Sequence, residues 1–402
     1  MKNKFSVFFI IVAFLMIIAA VCNMNYLSIS KKRIVEAQDK TSSKAVDFTA
    51  CRSSFLIDSD SGTIIYSNNE KERLPIASMC KVMTMLICFE NIDNQSLSLD
   101  ESIVVSQNAM SMGGSQVFLE ANAEYKVGEL LKSICVASAN DACVAMAERI
   151  AGCEEDFVCL MNDKALALGM ENTRFVNCTG LPQVGQYSTA EDVAIMFREL
   201  LKHKNYFDYS NIWMDKISHP NDRITSISNT NKLIKFYEGC DSGKTGYTCE
   251  AGHCLVASAM RNDLRLISVV LKAPDSKTRF NEVSKMFNFG FNSYQSKVVV
   301  DCNAPLNYNT KIKFAKNDNV LLYAKENISV LLKKNEKKSF DIRFEGKNDL
   351  VAPLEKNSVV GKLYVFENGI EIKNVDVIIK DEILSKNYID NMFDVINNWI
   401  FN

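Results

Sequence analysis

Apolar and polar positions follow three rhythms along the 402 residues. The first is a continuous apolar run from Phe5 to Cys22, broken only by Ser6 and preceded by Met1-Lys2-Asn3-Lys4. A polar, lysine-rich stretch from Ser28 to Lys44 follows and reads as a linker. From about Phe48 to Tyr294 strand and helix periods mix. Ser54-Phe55-Leu56-Ile57-Asp58 and Gly62-Thr63-Ile64-Ile65-Tyr66 read as a hairpin joined by Ser59-Asp60-Ser61. Met79, Val82, Met83, Leu86 and Ile87 recur at helical spacing, as do Leu130, Leu131 and Ile134, and then Val144, Ala147 and Ile150. Segments 253–259 and 265–271 read as strands with Arg261-Asn262-Asp263 as their turn. Strands at both ends with helices between predict an α+β layered domain. The third rhythm is one of short strands, at 311–314, 320–323, 329–332, 340–344, 359–365 and 375–379. Their alternation and their Gly/Asn/Asp turns predict a small β-sandwich. The last twenty residues return to helical spacing.

The division expected from these rhythms is an export signal or membrane anchor at 1–27, a linker at 28–47, a first folded domain at 48–295, a β domain at 296–380 and an amphipathic helix at 381–402. Lysines followed by an apolar run direct export, with the positive end held inside. The run is 18 residues, longer than the roughly 7–15 of a cleaved signal and just long enough to span a bilayer. Ala20-Val21-Cys22 and Val35-Glu36-Ala37 are imperfect cleavage sites, so release and tethering both stay open. In the tail, Ile389, Met392, Phe393, Ile396 and Ile400 share one helical face, with Trp399 and Phe401 near its end. That pattern suits either an interfacial helix or one packed on the β domain, and a net charge of −3 over 381–402 opposes anionic lipid.

Composition narrows the function classes. With 47% hydrophobic residues and only 6 Pro and 16 Gly, the chain can offset the ordering entropy of a packed core, which excludes a disordered scaffold. A net charge of −2 supplies no basic field for nucleic acid. Thirteen cysteines without C-x-x-C spacing are too sparse for a disulfide framework. They read as small core hydrophobes, with one or two oxidised pairs left open by an exported location. With three histidines and His253-Cys254 the only His/Cys neighbours, no zinc site is expected.

Three short motifs carry chemistry: Ser78-Met79-Cys80-Lys81, Ser138-Ala139-Asn140 and Lys244-Thr245-Gly246. Pro75 precedes a helical pattern, which places Ser78 near a helix N-terminus with Lys81 one turn later. A serine hydroxyl needs a base, and a lysine serves as one only when burial or a neighbouring cation lowers its pKa. Lys244 would supply such a charge, and the helix N-terminus offers free N–H groups where an oxyanion would form. Ser138-Ala139-Asn140 interrupts two helical patterns and would present a hydroxyl and an amide together; read alone, it is an N-cap at Asn140. Lys244 and Thr245 suit a carboxylate, and Gly246 allows close backbone approach. Read alone, that motif is an ordinary turn, Asp241-Ser242-Gly243, leading into a strand.

Together the motifs resemble the signature of penicillin-binding proteins and class A β-lactamases. The wider blocks, Arg73 to Lys81, Gly113-Gly114-Ser115, Ser138 to Ala142, Thr173 to Asn177, Gly180-Leu181-Pro182, Tyr187 to Ala190 and Asp241 to Thr248, resemble serine-type D-alanyl-D-alanine carboxypeptidases. Leu350 to Leu354 and Val359-Val360-Gly361 resemble the β domain that follows the catalytic domain in that family. The resemblance implies a transpeptidase-like α+β catalytic domain, and an exported enzyme that removes the terminal D-alanine from peptidoglycan pentapeptides and is acylated by β-lactams. It implies Ser78 as nucleophile, Lys81 as its base, Ser138 as proton relay, and Asn140, Lys244, Thr245 and Gly246 as substrate-binding residues. The backbone N–H groups of Ser78 and Tyr247 would form the oxyanion hole. No metal or organic cofactor is implied. Cys80, Ala139 and Tyr247 depart from the residues common at those positions, which bears on rate and preference more than on the reaction. The alternatives are a β-lactamase, which needs a deacylating carboxylate that 174–180 does not offer, and a cell-wall binding protein without catalysis.

Overall fold

The computed structural model describes residues 47–387 apart from 318–319 and the side chain at 221. The apolar N-terminal run, the linker up to 46 and the amphipathic segment from 388 lie outside the described residues. Strands β1 (Ser53–Asp58) and β2 (Ile64–Asn68) form the expected hairpin. Two short antiparallel pairs follow within the helical stretch, β3 (Ser102–Val104) with β4 (Glu124–Lys126) and β5 (Met214–Ser218) with β6 (Ile224–Ser228). Then β7 (Cys240–Thr248), β8 (Gly252–Arg261) and β9 (Leu264–Ala273) complete an antiparallel sheet of order β2-β1-β9-β8-β7. Its two edges are β2 and β7.

Alternation along the strands divides their side chains between two cores. Phe55, Ile57, Val256, Ile267 and Val269 pack with the helices Lys81–Asp93, Asn140–Ala151 and Ala190–Leu200. Leu56, Leu255, Leu266 and Val270 pack with Val283, Met286 and Phe287 of the helix Ser276–Ser293. Helices therefore cover both faces. The last two helices were not among the sequence expectations, although each starts on a readable cap: the Thr189 side chain accepts from Asp192 N at 3.0 Å, and that of Asp275 from Thr278 N at 2.8 Å.

The expected β-sandwich is also present. Strands β10 (Tyr294–Val300), β11 (Leu322–Ala324), β12 (Ile328–Lys333), β13 (Asp341–Gly346), β14 (Val359–Glu367) and β15 (Ile370–Ile379) form a β10-β12 pair and a sheet of order β11-β15-β14-β13. Val300 and Ile328 from the pair share a core with Leu363, Val365, Val375 and Val377. The expectation of a strand at 311–314 does not hold. Phe314 is left-handed (φ 58°), and the segment makes only isolated bridges, through Lys313 and Ala315. Among the described residues no helix is long and apolar enough to cross a membrane.

Candidate active site

A short 3-10 turn, Ala77–Cys80, runs into the helix that begins at Lys81. Within it Ser78 is partly exposed, while its neighbours Ala77 and Met79 are buried. The turn is gripped from two sides by glycines distant in sequence. A Cβ on Gly180 would fall 2.1 Å from the Ala77 carbonyl oxygen, and one on Gly246 would fall 2.5 Å from that of Ile76. Only hydrogen fits at either point. Ala77 itself is left-handed (φ 48°), as is Ser138 (φ 62°), which ends a π-helical turn, Ser133–Ala137. Non-glycine residues pay of order 1–3 kcal/mol for such backbone, and here two of them flank or carry candidate reacting groups.

Lys81 is fully buried. Its Nζ lies 3.0 Å from Ser78 Oγ and donates to the Thr179 carbonyl oxygen at 2.6 Å. Burial lowers its pKa, since a buried ammonium has lost its water. Lys244, equally buried on β7, donates to Ser138 Oγ at 2.7 Å and to the Thr245 carbonyl oxygen at 3.1 Å. Its pKa is pushed well down, first by burial and then by the charge of Lys81. Two lysine–serine pairs thus lie close together, with the charge of Lys81 disfavouring a proton on Lys244.

Asn140 is the first residue of its helix rather than its cap; Ala139 holds the cap position without a side-chain bond. The Asn140 Nδ2 donates to the Gly113 carbonyl oxygen at 2.6 Å, while its buried Oδ1 has no partner. Thr245 Oγ1 donates to Thr230 Oγ1 at 2.9 Å, and Tyr247 is exposed, stacked on His253 with ring centroids 4.4 Å apart. The reading of Asp241-Ser242-Gly243 as a turn is corrected: these residues and Lys244-Thr245-Gly246 form one continuous strand, β7. Polar and small residues stand there because one face of the strand borders the site, which hides its period from a hydrophobicity scan.

Several contributors escaped sequence reasoning. Asp141 is buried and accepts from the N–H groups of Val117, Leu119 and Ala142, holding the loop that carries Gly113. Asn177 accepts from Gly180 N at 2.7 Å, and its own carbonyl oxygen receives the Cys80 thiol at 3.1 Å. Together with the bond from Thr84 Oγ1 to the Cys178 carbonyl oxygen (2.7 Å), this pins the Thr179 carbonyl over Lys81. Cys80, a departure from the family's usual residue, therefore faces away from Ser78 and into this loop. A cleft of about 380 Å³ opens beside Ser78, lined by Ile76, Ala77, Gly180, Leu181, Thr248 and Glu250 among others. The described residues hold no group of three or more His, Cys, Asp or Glu side chains arranged for a metal.

A serine in contact with a buried lysine, beside a second lysine–serine pair on a strand edge, is the arrangement expected of a penicillin-binding serine hydrolase. Residues 38–275 match the family model described as D-alanyl-D-alanine carboxypeptidase, and 294–384 match the penicillin-binding protein 5 C-terminal domain. The chain is 40% identical to D-alanyl-D-alanine carboxypeptidase DacF of Bacillus subtilis, over 87% of this chain and 90% of that one. It is 32% identical to D-alanyl-D-alanine carboxypeptidase DacC of Escherichia coli, over 86% and 87%. Penicillin binding protein 5 from Haemophilus influenzae superposes with a TM-score of 0.65 at 26% identity, covering 86% of this chain and all of that one. The chain belongs to the D-alanyl-D-alanine carboxypeptidase family.

Proposed function

We propose that this protein is an exported serine D-Ala-D-Ala carboxypeptidase that trims peptidoglycan stem pentapeptides, and that Ser78 is its nucleophile. The observation that carries the reading is the 3.0 Å contact between Ser78 Oγ and a fully buried Lys81 whose ammonium form burial disfavours. A neutral amine at that distance is a competent base. In the proposed reaction Ser78 Oγ attacks the carbonyl between the two terminal D-alanines, and its proton passes to Lys81. The N–H groups of Ser78 and Tyr247 receive the oxyanion. As the C–N bond breaks, the proton reaches the leaving amine through Ser138. Water then hydrolyses the ester, releasing the shortened peptide and regenerating Ser78. Lys244 and Thr245 take the terminal carboxylate, whose negative charge favours the ammonium form of Lys244, and Asn140 orients the peptide amide. Gly246 admits the substrate backbone, and the cleft by Leu181 and Glu250 takes the rest of the stem.

The β-lactamase alternative is not favoured. Glu154, the carboxylate that reaches the 174–180 loop, accepts from Cys178 N at 2.9 Å. We further propose a catalytic domain at 48–295, a β domain at 296–380, export through the N-terminal run, and membrane contact through that run or the tail. Mass spectrometry after benzylpenicillin treatment, with a D-alanine release assay on a pentapeptide, tests the reading. A stable adduct on the Ser78 peptide and stoichiometric D-alanine support it. Rapid loss of the adduct would mean a β-lactamase, and no adduct a non-catalytic binder.

A further inference from the structure

Arg279 stands on the helix Ser276–Ser293, on the sheet face opposite the helix that starts at Lys81, and belongs to none of the motifs. It is 8% exposed. One guanidinium nitrogen, Nη1, donates both to the Gly246 carbonyl oxygen (3.1 Å) and to the Cys254 carbonyl oxygen (3.3 Å). Its Nε is buried without a partner, and among the described residues no carboxylate pairs with it. The guanidinium carbon stacks 4.8 Å from the Phe280 ring centroid. A buried cation with neither a counter-ion nor a full set of acceptors costs stability, and an apolar side chain of similar volume would fold as well or better. Its presence asks for a reason outside folding.

The two carbonyls supply that reason. Gly246 and Cys254 are register partners on β7 and β8. One nitrogen reaches both oxygens only if both point into the gap between those strands. A trans peptide sets its N–H opposite its C=O, so the Tyr247 N–H, which belongs to the same peptide unit as the Gly246 oxygen, points the other way, off the β7 edge of the sheet. That is the N–H assigned above to the oxyanion hole. A cation bonded to the carbonyl end fixes the plane of this peptide and draws electron density toward the oxygen, which strengthens the N–H as a donor.

We propose that Arg279 is the positioning residue of the oxyanion hole: from behind the sheet it aims and polarises the Gly246–Tyr247 peptide. It touches no reacting atom. The proposal rests on the catalytic reading above, and its effect belongs to the tetrahedral state, not to substrate binding.

The test measures acylation of the full chain by benzylpenicillin, resolved into the non-covalent dissociation constant and the first-order acylation rate, alongside Tm. Wild type is compared with Arg279→Met and Arg279→Lys. Losing a whole oxyanion donor costs about 10²–10³ in rate; a donor left in place but misaimed and less polarised should cost less, about 10–100-fold. Arg279→Met should therefore slow acylation by that factor with the dissociation constant and Tm held or Tm raised. Arg279→Lys, which keeps the charge but has a single terminal nitrogen, should fall between. Equal acylation rates in wild type and Arg279→Met would overturn the proposal, as would a rate that falls only in step with Tm or with affinity. Should Arg279→Met fail to fold, Arg279→Lys carries the same comparison. Failure of the wild-type chain to take an adduct on Ser78 would instead remove the catalytic reading itself.

Discussion

The two folded regions bury their side chains by different rules. In the β-sandwich, from Tyr294 to Asn387, every buried side chain among the described residues is apolar. In the region before it, Asp58, Lys81, Asp141, Asp192, Lys244, Arg279 and Glu282 are all buried, together with nineteen other polar residues such as Ser138 and Asn140. A domain that has only to fold keeps charge in water, where hydration costs nothing. The first region gives up that saving at Lys81 and Lys244, where chemistry is proposed, and at Arg279 behind them, while Asp58 and Asp192 are held by hydrogen bonds from Ser61, Thr173 and Asn172. The contrast separates residues kept for stability from residues kept in spite of it.

The strongest way to break this contrast is at the nucleophile. Ser78→Ala should form no covalent benzylpenicillin adduct, with a Tm close to wild type; an adduct that persists would place the chemistry elsewhere. Lys81→Met should lower the acylation rate by about 10²–10⁴-fold, the range for removing a general base, and should leave the protein as stable or more so, because the cost of burying a titratable amine is gone. A sharp fall in Tm would mean that Lys81 is structural. Lys244→Gln should slow turnover of free-acid peptides strongly and of their amides little. Equal loss on both would assign Lys244 to tuning Lys81. In the sandwich the expectation reverses: Leu363→Ala should cost about 2–5 kcal/mol of stability and leave the acylation rate of folded protein unchanged.

The smallest effects are those of pH. Both lysines have folded pKa values below the ordinary 10.5. Between that value and the folded one, the unfolded chain holds more protons than the folded chain, so stability rises with pH. The destabilisation from Lys244 is absent above 10.5, grows as pH falls toward the folded pKa, and is constant below it. The Tm advantage of Lys244→Met over wild type should therefore shrink as pH is raised toward 10.5. Acylation should rise with pH as Lys81 loses its proton and level off before 10.5. A flat profile would show that deprotonation of Lys81 does not limit the step.

Much of this was legible in advance because local chemistry and tertiary context agreed. Arg261-Asn262-Asp263 was readable as a turn, and Asn262 and Asp263 adopt left-handed backbone (φ 47° and 61°), as their short polar side chains permit. The three motifs were legible as a set, and the geometry places Ser78 on Lys81 and Ser138 on Lys244. What failed was governed by partners remote in sequence. β7 lacks a hydrophobic period because its edge borders a cleft. Phe314 looked like a strand residue, but the chain turns left-handed there. Arg279 occupies an ordinary position in an amphipathic helix, and only the approach of two carbonyls from β7 and β8 gives it meaning. Thr179 acts through its backbone, which no side-chain pattern can announce.

The twelve described cysteines are all free thiols, and eight are buried. Burial pushes those at Cys51, Cys143 and Cys240 up to about 12 and that at Cys254 to about 11. Such thiols hold almost no thiolate at neutral pH and are poor targets for alkylation. Cys159 and Cys249 are exposed, and Cys249 stands between Thr248 and Glu250, two walls of the cleft beside Ser78. With Cys22, Cys153, Cys159 and Cys302 replaced by serine, brief maleimide treatment should place a fluorophore chiefly at the mouth of that cleft. Substrate entry and product exit could then be followed as changes in emission, on the native cysteine and without a chromogenic antibiotic.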